Sequence, residues 1–190
     1  MSKWLPVLLL ACAGVSAHAA PPSDSGSSDE LGHFLKQRGF VTQIQNASHQ
    51  VADKTGQLLT TAMGLIGVPY RRGGTSEETG FDCSGFVRAI YQKTAGLTLP
   101  RLSAEQAAAT EKIQKQDLKP GDLVFFNTMR RAFSHVGIYV GEGKFIHAPR
   151  TGAKVRIESM ETSYWATRFN GARRVDTSDA SAVTAMAPQS

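Results

Sequence analysis

Three side chains in this sequence could together perform nucleophilic catalysis: Cys83, His135 and His147. Cys83 follows Asp82 where a helical pattern begins, and the N-terminus of a helix carries free N–H groups and a partial positive charge. Both features favour the thiolate, which is the nucleophilic form of cysteine, and the same N–H groups could hold a developing oxyanion. The two residues that follow are a small serine and a glycine, so a substrate carbonyl could approach closely. The alternative is a buried structural cysteine.

The two histidines fall on neighbouring predicted strands. His135 opens one strand, His147 lies near the end of the next, and a Gly-Glu-Gly sequence between them predicts a three-residue hairpin loop. Val140 then pairs with Lys144. In this register His147 lies opposite Gly137, on the face that carries His135, with the backbones roughly 7–8 Å apart. A loop of two or four residues would instead place the histidines on opposite faces of the sheet.

A cysteine nucleophile needs a base, and the base needs a partner that orients it. We therefore expect His135 to take the thiol proton of Cys83 or to form an ion pair with its thiolate. His147 would hold the ring of His135 through the other nitrogen. A single strand histidine is more often structural, but the coincidence of all three side chains favours catalysis.

Helical patterns occupy the first half of the chain. Apolar residues from Val51 to Ile66 follow a helical spacing that Pro69 ends, and Gly96 is a plausible C-cap for a second helix. Ser103 to Gln106 fits a capping box that opens a third helix. In the helix that begins near Cys83, the apolar residues of one face are Phe86, Val87, Ile90 and Tyr91. An earlier helix is also predicted, from the apolar residues Leu31, Phe34, Leu35 and Val41.

The pattern changes to strands after a Pro-Gly-Asp turn at 120–122. The predicted strands are Leu123–Phe126, His135–Val140, Lys144–Ala148 and Val155–Glu158. Because helices come first and closely spaced strands follow, the sequence predicts an α+β fold with an antiparallel sheet.

The two ends of the chain differ in composition from its centre. Residues 1–19 combine a lysine, a short apolar run and an Ala-His-Ala site, as a secretory signal does. Leu9 to Cys12 also resembles a lipobox, so a lipid anchor at Cys12 is the alternative. We expect a partly disordered linker at 20–50, a folded domain at 51–175 and a disordered tail at 176–190. The protein is then exported, either periplasmic or secreted, or anchored as a lipoprotein.

Composition and charge exclude several classes of protein. Two cysteines in 190 residues cannot build a disulfide framework, and the one long apolar stretch is too short to span a bilayer. The net charge is +5, but residues 60–175 carry 17 basic and 10 acidic side chains, so the folded part is more basic than the whole chain. Export and the lack of a clustered basic helix argue against nucleic acid as a partner.

Several motifs in order resemble the NlpC-type family of bacterial cell-wall cysteine peptidases. They run from about residue 60 to 175 and include Gly67-Val-Pro-Tyr70, Phe81-Asp82-Cys83-Ser84-Gly85-Phe86-Val87, Pro100-Arg101, Pro120-Gly-Asp-Leu-Val-Phe-Phe126, His135-Val-Gly-Ile-Tyr139 and Phe145-Ile-His147-Ala148. Tyr164-Trp165 and Gly171-Ala-Arg-Arg-Val175 further resemble the proteobacterial murein endopeptidase subgroup.

The resemblance implies a papain-like α+β fold, with the nucleophile at a helix N-terminus packed on the antiparallel sheet. It implies hydrolysis of peptide bonds in peptidoglycan stem peptides or crosslinks, with Cys83 as nucleophile, His135 as base and His147 as orienter. Tyr70, Asp82 and Ser84 match family positions near the oxyanion and the substrate, although Asp82 could simply cap the helix and Tyr70 could simply pack beneath it. Many relatives carry a separate wall-binding domain for which this chain has no room. Arginines at 71, 72, 130, 131 and 150 are expected to hold the acidic wall polymer or to be a solvated basic surface.

Two other functions stay open from the sequence. One is a catalytically inactive module that binds the cell wall. The other is a zinc site formed by the cysteine and the two histidines, although no short ligand pair would seed it. The catalytic hypothesis requires no metal and no cofactor, and we expect a monomer.

Overall fold

The structure is a computed structural model that describes residues 53–177, and their elements build a six-stranded sheet and a small two-stranded one, with helices beside them. The helices are α1 (53–64), α2 (Cys83–Ala95), α3 (Ser103–Ala108) and α4 (Ser163–Ala166), with a 3-10 turn at Lys115–Asp117. The strands are β1 (Thr75–Ser76), β2 (Gly80–Phe81), β3 (Glu111–Ile113), β4 (Leu123–Phe126), β5 (His135–Gly141), β6 (Lys144–His147), β7 (Arg156–Ser159) and β8 (Phe169–Arg174).

Six strands form the main sheet in the order β3-β8-β4-β5-β6-β7, and every pairing is antiparallel. β1 and β2 form a separate two-stranded hairpin just before α2. The expected α+β class is therefore confirmed. β5 and β6, which carry the two histidines, are interior strands, so their side chains are held by neighbours on both sides.

The two faces of the sheet bury different side chains. One face packs against α1 and α2 in the larger core, which contains Phe125, Val136, Ile138, Ile146, Phe86 and Ile90. The other face carries a smaller aromatic core of Val124, Phe126, Phe145, Met160 and Trp165. His135 pairs with Phe126 across β4 and β5, so the histidines belong to this second, aromatic face.

α2 has well-defined caps at both ends, as the sequence predicted. The carboxylate of Asp82 accepts a hydrogen bond from the N–H of Gly85 at 2.8 Å, which satisfies one free donor of the first turn. Gly96 adopts a left-handed conformation at the C-terminus, with φ 68°, where a side chain would be strained. Cys83 is consequently fixed as the first residue of the helix.

α3 begins at Ser103, as the sequence predicted, but its cap is one residue earlier than the predicted capping box. Leu102, not Ser103, is the N-cap, and its N–H donates to the Glu105 carboxylate at 3.1 Å. Ser103 instead donates to a backbone carbonyl in the loop before β5. Gln106 is fully buried and donates to the carbonyl of Ser84, so its side chain ties α3 to the helix of the cysteine rather than capping α3.

The hairpin that joins the histidine strands also differs from the expected one. Gly141, not Val140, pairs with Lys144, and the loop contains only Glu142 and Gly143. Both loop residues have positive φ, 52° and 67°, which is typical of the tight turns that fit the twist of a hairpin. Val140 is left as a bulge, and this extra residue shifts the register by one.

The bulge brings the histidines to the same face in spite of the short loop. Ile138 pairs with Ile146, which places His147 opposite Gly137, as the sequence predicted. The expectation that a two-residue loop would separate the histidines is thus wrong, because it assumed a regular ladder. A Cβ atom at Gly137 would lie 2.6 Å from a ring carbon of Phe145 and 3.1 Å from the Cβ of His147.

Several predictions fall outside the described residues. These are the signal at 1–19, the lipid anchor at Cys12, the linker at 20–50, the early helix near Leu31 to Val41, and all but the first two residues of the tail at 176–190. Within residues 53–177, none of the helices has the length and apolar character that crossing a bilayer would need.

Gly137→Ala is expected to lower the free energy of unfolding by about 1–3 kcal/mol, because the new methyl group would overpack the contact with His147 and Phe145. The matched control is Gly56→Ala in α1, where no atom lies within 4 Å and alanine is expected to stabilise the helix by about 0.5–1 kcal/mol. Urea denaturation of both variants measures the two effects. Equal stability of the two variants would contradict the proposed close packing at Gly137.

Candidate active site

Cys83 lies at the N-terminus of α2, in a position where backbone N–H groups surround its sulfur. The structure describes it as a free, partly exposed cysteine. Burial raises the pKa of the Cys83 thiol and the charge of Asp82 adds to the rise, while N–H groups of Val136, Ser84 and Cys83 itself lower it. The net effect raises the pKa of Cys83, which favours the first of the two expected arrangements, in which His135 takes a proton from the thiol.

His135 and His147 contact each other directly through their ring nitrogens. His135 Nε2 lies 2.7 Å from His147 Nδ1, and the rings are nearly perpendicular, at 88°. Both residues are buried, with exposed fractions of 4% and 0%. The predicted contact between the two histidines is therefore present, and His135 makes it through Nε2 rather than through Nδ1.

Burial keeps both imidazoles neutral. It lowers the pKa of His135 to about 3, helped by the charge that His147 would carry and opposed by the carboxylate of Glu158. It also lowers the pKa of His147, again against the effect of Glu158. His135, which lines the same cleft as Cys83, is therefore an unprotonated imidazole at neutral pH.

Glu158 on β7 is the next group along the same line of contacts. Its Oε2 lies 3.2 Å from His147 Nε2. Its Oε1 accepts from Arg156 Nε at 2.7 Å, and its Oε2 also accepts from the indole N–H of Trp165. The hydrogen bond from His147 lowers the pKa of Glu158 most, and burial opposes it. With the further hydrogen bond from Arg156, the pKa falls to about 2, so the carboxylate is ionised at neutral pH.

Trp165 provides a wall for the histidine pair. Its ring stacks on His135 with an interplanar angle of 24° and a centroid distance of 5.4 Å. It meets His147 edge to face at 5.1 Å and packs on Phe126 at 4.7 Å. Aromatic contacts of this kind restrict the orientation of both imidazoles and exclude water from one side of them.

Asp82 holds a second network, on the cysteine side. Arg101 binds its carboxylate through two nitrogens, at 2.6 and 3.1 Å, and also donates to Ser84 Oγ at 3.0 Å. The second carboxylate oxygen of Asp82 accepts from the N–H of Gly73 at 2.9 Å. Asp82 also caps α2 through its contact with Gly85, so the capping alternative is present in the structure. Ser84 is buried within this network, with 5% of its surface exposed.

An open cleft of about 1350 Å³ joins the two networks. Cys83, His135, Tyr70, Asp82, Ser84, Arg101, Glu158 and Trp165 all line it. Burial raises the pKa of the Tyr70 hydroxyl, and negative charge at Cys83 and Asp82 raises it further, so this phenol stays a neutral donor near the cysteine. The cleft thus brings together all the predicted site residues except His147, which lies behind His135.

The cleft is positively charged. Five arginines line it, against two carboxylates, and two of those arginines are paired with the carboxylates, Arg101 with Asp82 and Arg156 with Glu158. The other three are Arg72, Arg131 and Arg150. Of the arginines expected to hold an acidic polymer, these three line the cleft and those at 71 and 130 do not.

Sequence reasoning missed three residues of the site: Arg101, Glu158 and Trp165. Arg101 and Trp165 appeared only as parts of motifs, with no role attached. Glu158 stood at the predicted end of a strand, but nothing in the sequence pairs it with His147. The register of β6 with β7, in which His147 pairs with Arg156, is what brings Glu158 within reach.

The described part of the chain contains no group of three or more His, Cys, Asp or Glu side chains arranged to hold a metal ion. His135 Nε2 and His147 Nδ1 are directed at each other, so these two nitrogens do not converge on a shared ligand position. The geometry gives the zinc alternative no support.

A cysteine at a helix N-terminus, packed against an antiparallel sheet that carries the histidines, defines the papain-like α+β class of protein. The model of the NlpC/P60 family matches residues 67–174, which is more than half of the chain. The chain belongs to the NlpC/P60 family, and the resemblance noted from the motifs is confirmed.

Relatives with known names agree with this membership. The chain is 43% identical over 177 residues to the murein DD-endopeptidase MepH of Escherichia coli K12, covering 85% of this chain and 65% of MepH. It therefore spans slightly less than two thirds of that relative. It is 34% identical over 171 residues to the murein DD-endopeptidase and LD-carboxypeptidase MepS of the same strain, covering 89% of this chain and 87% of MepS.

A solved structure supports the fold. The crystal structure of an NlpC/P60 family protein from Bacillus cereus ATCC 10987 superposes with a TM-score of 0.59 at 38% sequence identity, covering 63% of this chain and 39% of that one. The expected papain-like fold is confirmed by this likeness.

The raised pKa of Cys83 predicts how its alkylation depends on pH. Because the thiolate is the reacting form, the rate of reaction with iodoacetamide is expected to rise with pH and to level off above the pH at which free N-acetylcysteine does so. Mass spectrometry of Cys83 alkylation across a pH series measures both profiles side by side. A plateau already reached at acidic pH would reveal a preformed thiolate–imidazolium pair and contradict the neutral resting state.

Proposed function

We propose that the chain is a cysteine endopeptidase that hydrolyses peptide bonds in the stem peptides or crosslinks of bacterial peptidoglycan. The observation that carries the proposal is that His135, held by its contact with His147, lines the same cleft as Cys83. Family membership and the names of MepH and MepS support the substrate class. We further propose that the protein is exported to the periplasm or secreted, with a lipid anchor at Cys12 as the alternative.

The proposed reaction begins with proton transfer from the Cys83 thiol to His135. His135 Nε2 is engaged with His147, so Nδ1 is the nitrogen that accepts this proton. The sulfur attacks the amide carbonyl carbon, and the oxyanion that forms is stabilised by the N–H groups at the start of α2. Tyr70 lines the same cleft and is proposed as an additional donor.

The second half of the proposed reaction releases the products. The His135 imidazolium returns its proton to the leaving amine, the C–N bond breaks, and a thioester remains on Cys83. Water, deprotonated by the neutral His135, then attacks the thioester carbonyl. The sulfur leaves, the carboxylic acid is released, and the resting thiol is restored. General acid–base catalysis of this kind contributes roughly 10²–10⁴-fold to rate.

The bond that is cut is proposed from the relatives. MepH and MepS are both named DD-endopeptidases, and we therefore place the crosslink between D-alanine and diaminopimelate first. The bond between γ-D-glutamate and diaminopimelate within one stem is the alternative. Asp82 and Ser84 are proposed to lie near the peptide end of the substrate, with the carboxylate of Asp82 already held by Arg101.

Cys83→Ala tests the proposed nucleophile. Cleavage of purified crosslinked muropeptides is expected to fall by at least about 10³-fold, because residues 53–177 contain no other cysteine that could form the thioester. The matched control is Cys12→Ala, the other cysteine of the chain, which is expected to cleave like wild type. Mass spectrometry of the products measures cleavage and identifies the bond. Turnover by Cys83→Ala would refute the assignment, and binding to sacculi without turnover by wild type would favour the inactive wall-binding module.

Charge-matched variants test the proposed role of the basic cleft. Arg72→Gln with Arg131→Gln removes two cleft charges, whereas Arg71→Gln with Arg130→Gln removes two neighbouring charges that do not line it. The cleft variant is expected to raise KM about three- to tenfold with little change in kcat, because distant charges mainly steer and concentrate an acidic substrate. Kinetics at low and high salt check this. Equal KM values for the two variants would show that only overall charge matters.

A further inference from the structure

We propose that Glu158 is a positioning residue that fixes the tautomers of the two histidines. The kinetic part of this inference rests on the proposed thiol chemistry, whereas the tautomers themselves can be observed without any substrate. The observation that prompts it is the unbroken line of contacts from Glu158 through His147 to His135, with distances of 3.2 and 2.7 Å.

The hydrogen bond between the histidines can be made in two ways. In the first, His135 donates from Nε2 and His147 accepts at Nδ1, which leaves His135 Nδ1 with a free lone pair. In the second, His147 donates from Nδ1 and His135 accepts at Nε2. A neutral imidazole carries one proton, so His135 would then be protonated at Nδ1. Only the first arrangement leaves a base that can take a proton from Cys83.

Glu158 selects the first arrangement. An ionised carboxylate can only accept hydrogen bonds, so the contact of Oε2 with His147 Nε2 requires a proton on Nε2. The Nδ1 atom of the neutral His147 ring is then bare and must accept from His135. Glu158 thus sets the tautomer of His147 directly, and His147 in turn sets the tautomer of His135.

The contacts of Glu158 hold it in this role. Arg156 donates to Oε1, and the indole N–H of Trp165 donates to Oε2. Together with His147, three donors surround the carboxylate and favour its ionised form. The same indole stacks on His135. Trp165 therefore holds both the carboxylate of Glu158 and the ring plane of His135 in place.

Glu158 also acts while His135 is protonated. During the proposed reaction His135 becomes an imidazolium in a buried site, where an isolated positive charge is costly. The negative charge of Glu158 lies one ring away and favours the protonated state of both histidines. The carboxylate therefore contributes in two separable ways, through its acceptor geometry and through its charge.

Two substitutions separate these contributions. Glu158→Gln can still present an oxygen to His147 and Trp165, with its NH₂ group turned toward the exposed Arg156, so it removes the charge and keeps the acceptor. Glu158→Leu removes both. The matched control is Glu142→Gln, which neutralises a glutamate paired with Lys144 at the exposed hairpin loop, away from the cleft.

The first measurement uses ¹⁵N-histidine-labelled protein and two-bond ¹H–¹⁵N spectra at neutral pH, which distinguish the imidazole tautomers. In wild type, Glu142→Gln and Glu158→Gln, both His135 and His147 are expected to carry the proton on Nε2. In Glu158→Leu, an Nδ1–H population of His147 is expected. An Nδ1–H tautomer of His147 in wild type overturns the proposal, and so does an unchanged wild-type spectrum in a folded Glu158→Leu protein.

The second measurement is kcat and KM on crosslinked muropeptides. Glu158→Gln is expected to lose about tenfold in kcat and Glu158→Leu about 100-fold, with KM within about twofold of wild type in both. Wild-type kcat in Glu158→Gln overturns the role of the charge, and this variant decides the kinetic question if Glu158→Leu does not fold. A merely structural role would lower the melting temperature and leave kcat unchanged in the folded protein.

The two measurements keep this inference distinct from the proposed function. Absence of cleavage by wild type, together with the expected tautomers, would count against peptidoglycan as the substrate and leave the role of Glu158 intact. Efficient cleavage by a wild-type protein that has His147 protonated on Nδ1 would support peptidoglycan as the substrate and overturn the role of Glu158.

Discussion

The hydrogen bond between His135 Nε2 and His147 Nδ1 is the constraint on which the arrangement of the sheet depends. Two imidazoles on adjacent strands can meet at 2.7 Å only if both strands present them on one face and in one diagonal register. The two-residue turn alone would give the wrong face. The bulge at Val140 corrects the register, so a local irregularity of the hairpin is a requirement of the site.

Close packing around this bond follows from the same register. His147 lies opposite Gly137, and any side chain there would collide with Phe145 and with the Cβ of His147. The aromatic residues of the second core then close over the imidazoles, with Trp165 stacked on His135. The burial that fixes the geometry also lowers the pKa of His135, so position and protonation state have one physical cause.

Burial also decides the state of the cysteine. Helix N–H groups lower the pKa of the Cys83 thiol, as the sequence led us to expect, but desolvation outweighs them and the pKa rises. In the proposed mechanism the thiolate therefore forms only as His135 takes the proton, at the moment of attack. Until then the raised pKa keeps the thiol slow to react with other electrophiles.

Local signals were sufficient for much of the fold and for the contact between the two histidines. The period-two patterns gave four strands to within one or two residues, and Asp82 and Gly96 marked the ends of α2. β3 and β8 were missed because they are sheet-edge or irregular strands: β3 has three residues, and Gly171 interrupts the pattern of β8 with φ 137°. Neither strand has the alternation that marks a half-buried strand.

Long-range partners could not be predicted in this way. Arg101 reaches Asp82 from 19 residues away in the chain, and Glu158 reaches His147 from 11 residues away on another strand. A charged residue in a sequence shows its sign but not the group that neutralises it. The capping box at Ser103 failed for a related reason, since a buried contact of Gln106 with the helix of the cysteine took precedence over local capping.

The positive charge of the cleft likewise depends on which arginines are neutralised by a partner. Two of the five arginines in the cleft are occupied by the carboxylates that order the site, Arg101 on the cysteine side and Arg156 behind the histidines. Their positive charge is balanced locally and adds little to the field over the cleft. The remaining field comes from Arg72, Arg131 and Arg150. The positive charge that the cleft presents therefore depends on these three side chains rather than on the net charge of the chain, and moving them to neighbouring positions would change the field over the cleft at constant composition.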